Sequence, residues 1–134
     1  MPNKKERGFN LLELVIVITV IGILVTLALP PYNRSKEQVL GKEAQSNLRL
    51  ILAAEKTYRM EYGTYWPPSS FNFDIEEINN NLKLFLTNTN WWWIITGGGS
   101  TFTALVQRLG VGGYKDCEYT INEAGTETKH ATCP

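Results

Sequence analysis

Charge is almost missing from the first part of this sequence: between Gly8 and Asn33 the one charged side chain is Glu13, and residues 14–29 carry none. Catalytic raw material is scarce throughout. The single histidine, His130, stands near the C-terminus and reads as an exposed loop or strand residue with no nucleophile or acid set against it. An enzyme needs a nucleophile with a base, a tuned carboxylate pair or a metal site. No HExxH pair, Walker loop or dinucleotide fingerprint occurs, and Gly97-Gly98-Gly99 lacks the lysine and helix context of a phosphate loop. No catalysis is expected. A basic excess is also lacking: 13 Lys and Arg face 13 Asp and Glu, a formal net charge of zero, so nucleic acid is not expected as the main partner. Cysteine is limited to Cys117 and Cys133, without CxxC spacing, which leaves a disulfide or two free thiols.

What is present is a chain of 134 residues, room for one modest domain, with 43% hydrophobic and 19% charged residues, which excludes wholesale disorder. Residues 1–8, MPNKKERG, hold Lys4, Lys5 and Arg7 against Glu6 and read as a cytoplasmic leader. Residues 9–29 form an apolar run that would span about 30 Å as a helix, the thickness of a bilayer's hydrocarbon core. Basic residues before it and the bulk of the chain after it place the N-terminus in the cytoplasm. Pro30 and Pro31 predict a bend that need not end the helix. Over residues 30–62 the apolar positions Leu40, Ala44, Leu48, Ile51, Leu52, Tyr58 and Tyr62 recur at three- and four-residue intervals, an amphipathic continuation. Gly63-Thr64-Tyr65, followed by Pro67 and Pro68, stops it.

The period changes across residues 63–134. Asp74 and Glu77 are spaced as a capping box, and Leu82, Leu84 and Leu86 alternate as in a strand. Trp91 to Ile95 and Thr101 to Gln107 predict a hairpin turned by Gly97-Gly98-Gly99-Ser100; Cys117 to Ile121 and Thr126 to Thr132 predict a second, turned by Asn122-Glu123-Ala124-Gly125. The expected fold is α+β: a long N-terminal helix, membrane-spanning in its first half and amphipathic in its second, packed on a small antiparallel sheet.

Glu13 is the anomaly in that scheme. A carboxylate in a membrane segment costs roughly 2.5 to 3.5 kcal/mol even on lenient insertion scales, so it must be neutralised or meet a cation. Cleavage between Gly8 and Phe9 would supply one, the new α-amino group of Phe9. Between two parallel helices displaced along their axes, the amine of one can meet the carboxylate of the other, and Glu13 then acts as an assembly signal.

The segment RGFNLLELVIVITVIGILVTLALP resembles the N-terminal segment of type IV pilins and of the pseudopilins of type II secretion systems. The matching elements are the short basic leader, Gly8 before the cut, Phe9 as new N-terminus, Glu13 fifth in the mature chain, Gly22 and Pro30. The resemblance implies that prepilin peptidase cuts after Gly8 and methylates Phe9. It implies that subunits leave the inner membrane, with its assembly platform, for a homopolymeric filament with bundled apolar helices, in the periplasm or at the cell surface. It further implies that the helix loosens between Gly22 and Pro30 on assembly. Loss of the leader leaves 10 basic and 12 acidic side chains, net about −2. A plain export signal cut after Ala28, releasing a soluble ligand-binding module, is the competing reading.

Outside the cytoplasm a disulfide is permitted. Cys117–Cys133 would close a loop of roughly 17 residues, a stabilisation of about 3 kcal/mol, and two strands joined by a turn would bring the pair together. The disulfide is therefore the reading adopted; a C-terminal disulfide loop is similar in placement in the pilin family. In a strand, Trp91 and Trp93 face one way and Trp92 the other, toward the core, a neighbouring subunit, or a stacking platform for sugars or DNA. No cofactor is expected; Asp74, Glu76 and Glu77, or Asp116 and Glu118, could contribute to a calcium site of the kind known in pseudopilins, with helix capping as the simpler role. The cysteine pair and the sheet lean toward a pilin, and calcium-dependent folding would lean toward a major or minor pseudopilin.

Overall fold

The computed structural model describes residues 8–110 and 113–134; the basic residues of the leader lie outside them. Helix α1 runs Leu11–Tyr62. It starts after Phe9 because Asn10 takes the cap: the Asn10 Oδ1 accepts from Leu12 N at 3.3 Å, and its carbonyl accepts from Glu13 N at 2.9 Å. Gly22, Pro30 and Pro31 all lie inside this one helix, so the proline pair does not end it. The last turn closes on Gly63, whose φ of 78° lets its N–H reach the Arg59 carbonyl at 2.8 Å, as a left-handed cap requires.

Two compact units divide the chain, residues up to Lys36 and Glu37–Pro134. The second is the head. Its strands β1 (Ser69–Asn72), β2 (Trp91–Gly98), β3 (Thr101–Arg108), β4 (Glu118–Asn122) and β5 (Glu127–Lys129) form one antiparallel sheet in sequence order. Helix α2 (Ile75–Leu82) lies between β1 and β2 in sequence. Register aligns the core: Trp93 opposes Val106, Ile95 opposes Ala104, and these oppose Tyr119 and Ile121 across the next ladder. That face joins Ala44, Leu48 and Ile51 of α1 and Ile78 and Leu82 of α2 in a single buried cluster. The helical period read over residues 40–58 is thus a burial period, although Tyr62 at its end stays 60% exposed.

Four local expectations need correction. Leu82, Leu84 and Leu86 do not form a strand: Leu82 ends α2, Lys83 takes a left-handed cap with φ 55°, and the segment beyond is irregular. Its alternating burial is real, but the partner is a side chain. Asn79 Nδ2 donates to the Leu86 carbonyl at 2.9 Å and Asn79 Oδ1 accepts from Leu86 N at 2.8 Å, so an amide does what a neighbouring strand would do. The capping box is half made, because Asp74 Oδ1 accepts from Glu76 N and Glu77 N while the Glu77 carboxylate turns to Asn72 Nδ2. The turn at Gly97-Gly98-Gly99-Ser100 shrinks to two residues: Gly98 pairs with Thr101, leaving Gly99 (φ 65°) and Ser100. The last strand stops at Lys129 rather than Thr132, where the chain turns back through Cys133 N to His130 O at 3.1 Å.

β1, unforeseen in the sequence, depends on a missing side chain. Its partner Gly97 faces Trp66 and Pro67, and a Cβ there would stand 2.7 Å from the Trp66 carbonyl oxygen. Gly41 has the same role on the helix, since a Cβ at that buried position would collide with the Tyr119 hydroxyl of β4. Alanine is worth about 1 kcal/mol over glycine within a helix, but overpacking a core costs typically 1–3 kcal/mol. Gly41→Ala is therefore expected to destabilise the chain by about 1 kcal/mol in denaturant titration, and adding Tyr119→Phe, which removes the colliding oxygen, to restore stability. A Gly41→Ala variant as stable as the parent would refute this packing.

Candidate functional site

The residues expected to be processed and to direct assembly adjoin. Gly8, Phe9 and Asn10 are non-helical and exposed, so the Gly8–Phe9 bond lies in an accessible stretch before the first helical residue. Glu13 follows in the first turn of α1, where a carboxylate is favoured by the helix dipole. Fifteen large apolar side chains between Phe9 and Leu29, from Phe9 at 73% exposure to Leu29 at 55%, are uncovered in the single chain. By length and composition this part of α1 can cross a membrane.

The other polar groups of this stretch are satisfied internally. Thr19 Oγ1 donates to the Val15 carbonyl and Thr26 Oγ1 to the Ile23 carbonyl, both at 2.7 Å, and Asn10 is engaged as the cap. Glu13 is left as the one charged group on a surface otherwise suited to lipid or to other helices. Gly22 has open space around its Cα, room for a neighbouring backbone to approach.

In the head, Cys117 and Cys133 form a disulfide with Cα atoms 4.6 Å apart. It ties the residue before β4 to the segment after β5. Trp91 and Trp93 are buried, Trp93 donating its Nε1–H to the Thr87 carbonyl at 2.9 Å and Trp91 lying under the Arg108 guanidinium at 5.6 Å. Trp92 faces the other way at 38% exposure, edge-on to Phe73. Arg108 is anchored by Glu37 at 2.9 and 3.0 Å and by the carbonyls of Asn90 and Leu109, which pins β3 to α1. Of the candidate calcium residues, Asp74 caps α2 and Glu77 meets Asn72; among the described residues no group of three or more His, Cys, Asp or Glu gathers for a metal.

One residue escaped the sequence reading. Glu55 is fully buried in α1, with Oε2 accepting from Trp66 N at 2.8 Å and Oε1 unpartnered, and burial pushes its carboxyl up to about 7. The signal was its position: Ala44, Leu48, Ile51 and Glu55 share one helical stripe.

An apolar, singly charged helix stands behind an accessible Gly–Phe bond and leads into a five-stranded α+β head. The prokaryotic N-terminal methylation motif matches residues 3–29. Among curated proteins the chain is 36% identical over 63 residues to the type IV major pilin protein PilA of Myxococcus xanthus, covering 47% of this chain and 29% of that one. It is 34% identical over 61 residues to the type II secretion system core protein G of Escherichia coli, covering 46% and 42%, and 28% identical over 65 residues to that of Pseudomonas aeruginosa, covering 48% and 46%. The chain thus spans less than half the length of these relatives. No solved structure matches. The resemblance read from Gly8, Phe9, Glu13, Gly22 and Pro30 is borne out, and it reaches past the first quarter of the chain to nearly half.

Breaking the Cys117–Cys133 link, 16 residues apart in sequence, is expected to cost about 3 kcal/mol by the loop-entropy account. Reversible unfolding of the Cys117→Ser/Cys133→Ser double variant measures this, and ready alkylation of both cysteines in the unreduced parent would contradict the bridge.

Proposed function

We propose that this chain is a structural subunit of a type IV pilus-like filament. Prepilin peptidase cuts it between Gly8 and Phe9 and methylates the Phe9 amine, and the subunit polymerises through the helix of residues 9–29. Before assembly the helix anchors the chain in the inner membrane with the leader in the cytoplasm and the head outside. The assembly platform then draws it into a periplasmic or surface filament. The observation that carries this reading is the uncovered apolar surface of α1 bearing Glu13 alone, behind a methylation motif. Subunits entering the filament exchange lipid for like helices, and Glu13 exchanges a costly lipid environment for the Phe9 amine of a neighbour. Gly22 and Pro30 are the positions where the helix yields during that exchange.

The second reading, a pseudopilin of a type II secretion system, is favoured by the likeness to core G proteins. Both readings share the same helix chemistry and a structural role.

Replacing Glu13 by Gln or Val removes the register signal while leaving the Gly8–Phe9 bond intact. Processed subunits are expected to accumulate in the membrane, with filaments seen by electron microscopy falling about tenfold or more, the equivalent of 1.4 kcal/mol. Normal filament numbers in either variant would overturn the role of Glu13.

A further inference from the structure

We propose that Glu55 is a proton-operated catch: protonated, its carboxyl sits within the core and holds the Tyr65–Trp66–Pro67 connection against α1; ionised, it admits water by letting that connection open. Glu55 is 0% exposed, and its carboxylate receives a single donor, the Trp66 N–H, while Oε1 has none. An ionised carboxylate has about four acceptor sites to satisfy, and one N–H does not replace the water it loses. A neutral carboxyl tolerates the same seat.

The segment bonded to it is itself buried, with Tyr65 and Trp66 packed in the core. Tyr65 N reaches the Gly99 carbonyl at 3.2 Å, the Tyr65 ring lies 4.9 Å from that of Phe102, and Arg59 stands over it at 4.8 Å while donating to its hydroxyl. The Trp66 carbonyl rests against Gly97. Charged groups near it on α1 are Lys56, Arg59 and Glu61; α2 carries Glu76 and Glu77 with Lys83 at its C-cap, and Glu123 in the β4–β5 turn accepts from Phe102 N. None of these charged side chains makes an ion pair or hydrogen bond with Glu55, whose donor is the Trp66 N–H. Its protonation is therefore governed by burial, with the Trp66 N–H opposing weakly, and it changes charge near neutrality.

The sign follows. The folded chain keeps the proton up to about pH 7 while the ordinary carboxyl value is 4.5. The stabilising contribution is complete in acid, falls as pH rises through that window, and is spent above it. This catch does not depend on the filament reading, although a head outside the cytoplasm would meet whatever pH its surroundings impose.

Trp66 N–H donates to Glu55 and to no backbone carbonyl, so its hydrogen exchange reports the catch directly. In the full chain held in detergent micelles, amide exchange corrected for intrinsic rate is to be followed from pH 5 to 8. Protection at Trp66 is expected to fall at least tenfold between pH 5 and about 7 in the parent and to level off above that, and to stay level throughout in Glu55→Gln, which keeps an acceptor but cannot ionise. Glu123→Gln and Glu61→Gln retain the fall. Level protection in the parent, or a fall with the same midpoint in Glu55→Gln, would overturn the proposal. Should Glu55→Gln fail to fold, the parent decides: a fall that leaves α1 and β3 amides protected supports the catch, and a fall shared by all of them refutes it.

Discussion

The constraint on which this protein turns is that residues 9–29 carry an apolar surface the chain does not cover by itself. At about 1.5–3 kcal/mol per fully buried large aliphatic or aromatic side chain, fifteen uncovered residues represent some tens of kcal/mol of unfavourable contact with water. Against that, the cost of one carboxylate in lipid is about 3 kcal/mol. The comparison separates two roles. The apolar side chains decide that the helix must be covered, by lipid or by other helices. Glu13 is too weak to affect that decision, but it is the one charged feature of that surface, and in the proposed filament it is what would distinguish lipid from a neighbour offering an amine, and one helix register from the next.

The head answers a different problem, that of holding a small sheet firmly against a single helix. It does so with close backbone approach at Gly41 and Gly97, a disulfide after the last strand, and the Arg108–Glu37 pair at the point where the head begins. The pair is mostly shielded from solvent, with both Glu37 oxygens engaged by the guanidinium, a geometry in which the desolvation of one ion is offset by its partner. Glu55 lies deeper and has no such partner. The head thus treats two carboxylates differently, one half-buried and held by a guanidinium, the other fully buried in a seat that favours the neutral acid.

Much of this was legible in the residues because the relevant signals are local and repetitive. The helix of residues 11–62 follows from hydropathy and period, the paired hairpins from aromatic and β-branched runs separated by glycine, and the inward faces of Trp91 and Trp93 from the two-residue repeat of a strand. The failures have a shared cause: a side chain or an absent side chain stood in for backbone pairing. Asn79 mimics a strand beside Leu86, Asn72 diverts Glu77 from the capping box, and β1 exists because Gly97 lets Trp66 and Pro67 pass close by. None of these has a periodic trace. Glu55 did have one, since it occupies the stripe of Leu48 and Ile51, but a charged residue within an amphipathic pattern reads as an interruption rather than as part of the core. The proposed processing and assembly residues came from the opposite kind of evidence, fixed spacing among Gly8, Phe9 and Glu13 rather than packing.

The central claim is that other copies of the chain, in place of lipid, finally cover this helix. Its most direct test is the intact mass of the polypeptide recovered from sheared, lipid-free filaments. The account predicts a chain that has lost Met1 to Gly8, retains residues 9–29 and carries one added methyl group. A chain that begins at Met1 and is found only in membranes, or a soluble one that begins after Ala28, would contradict it.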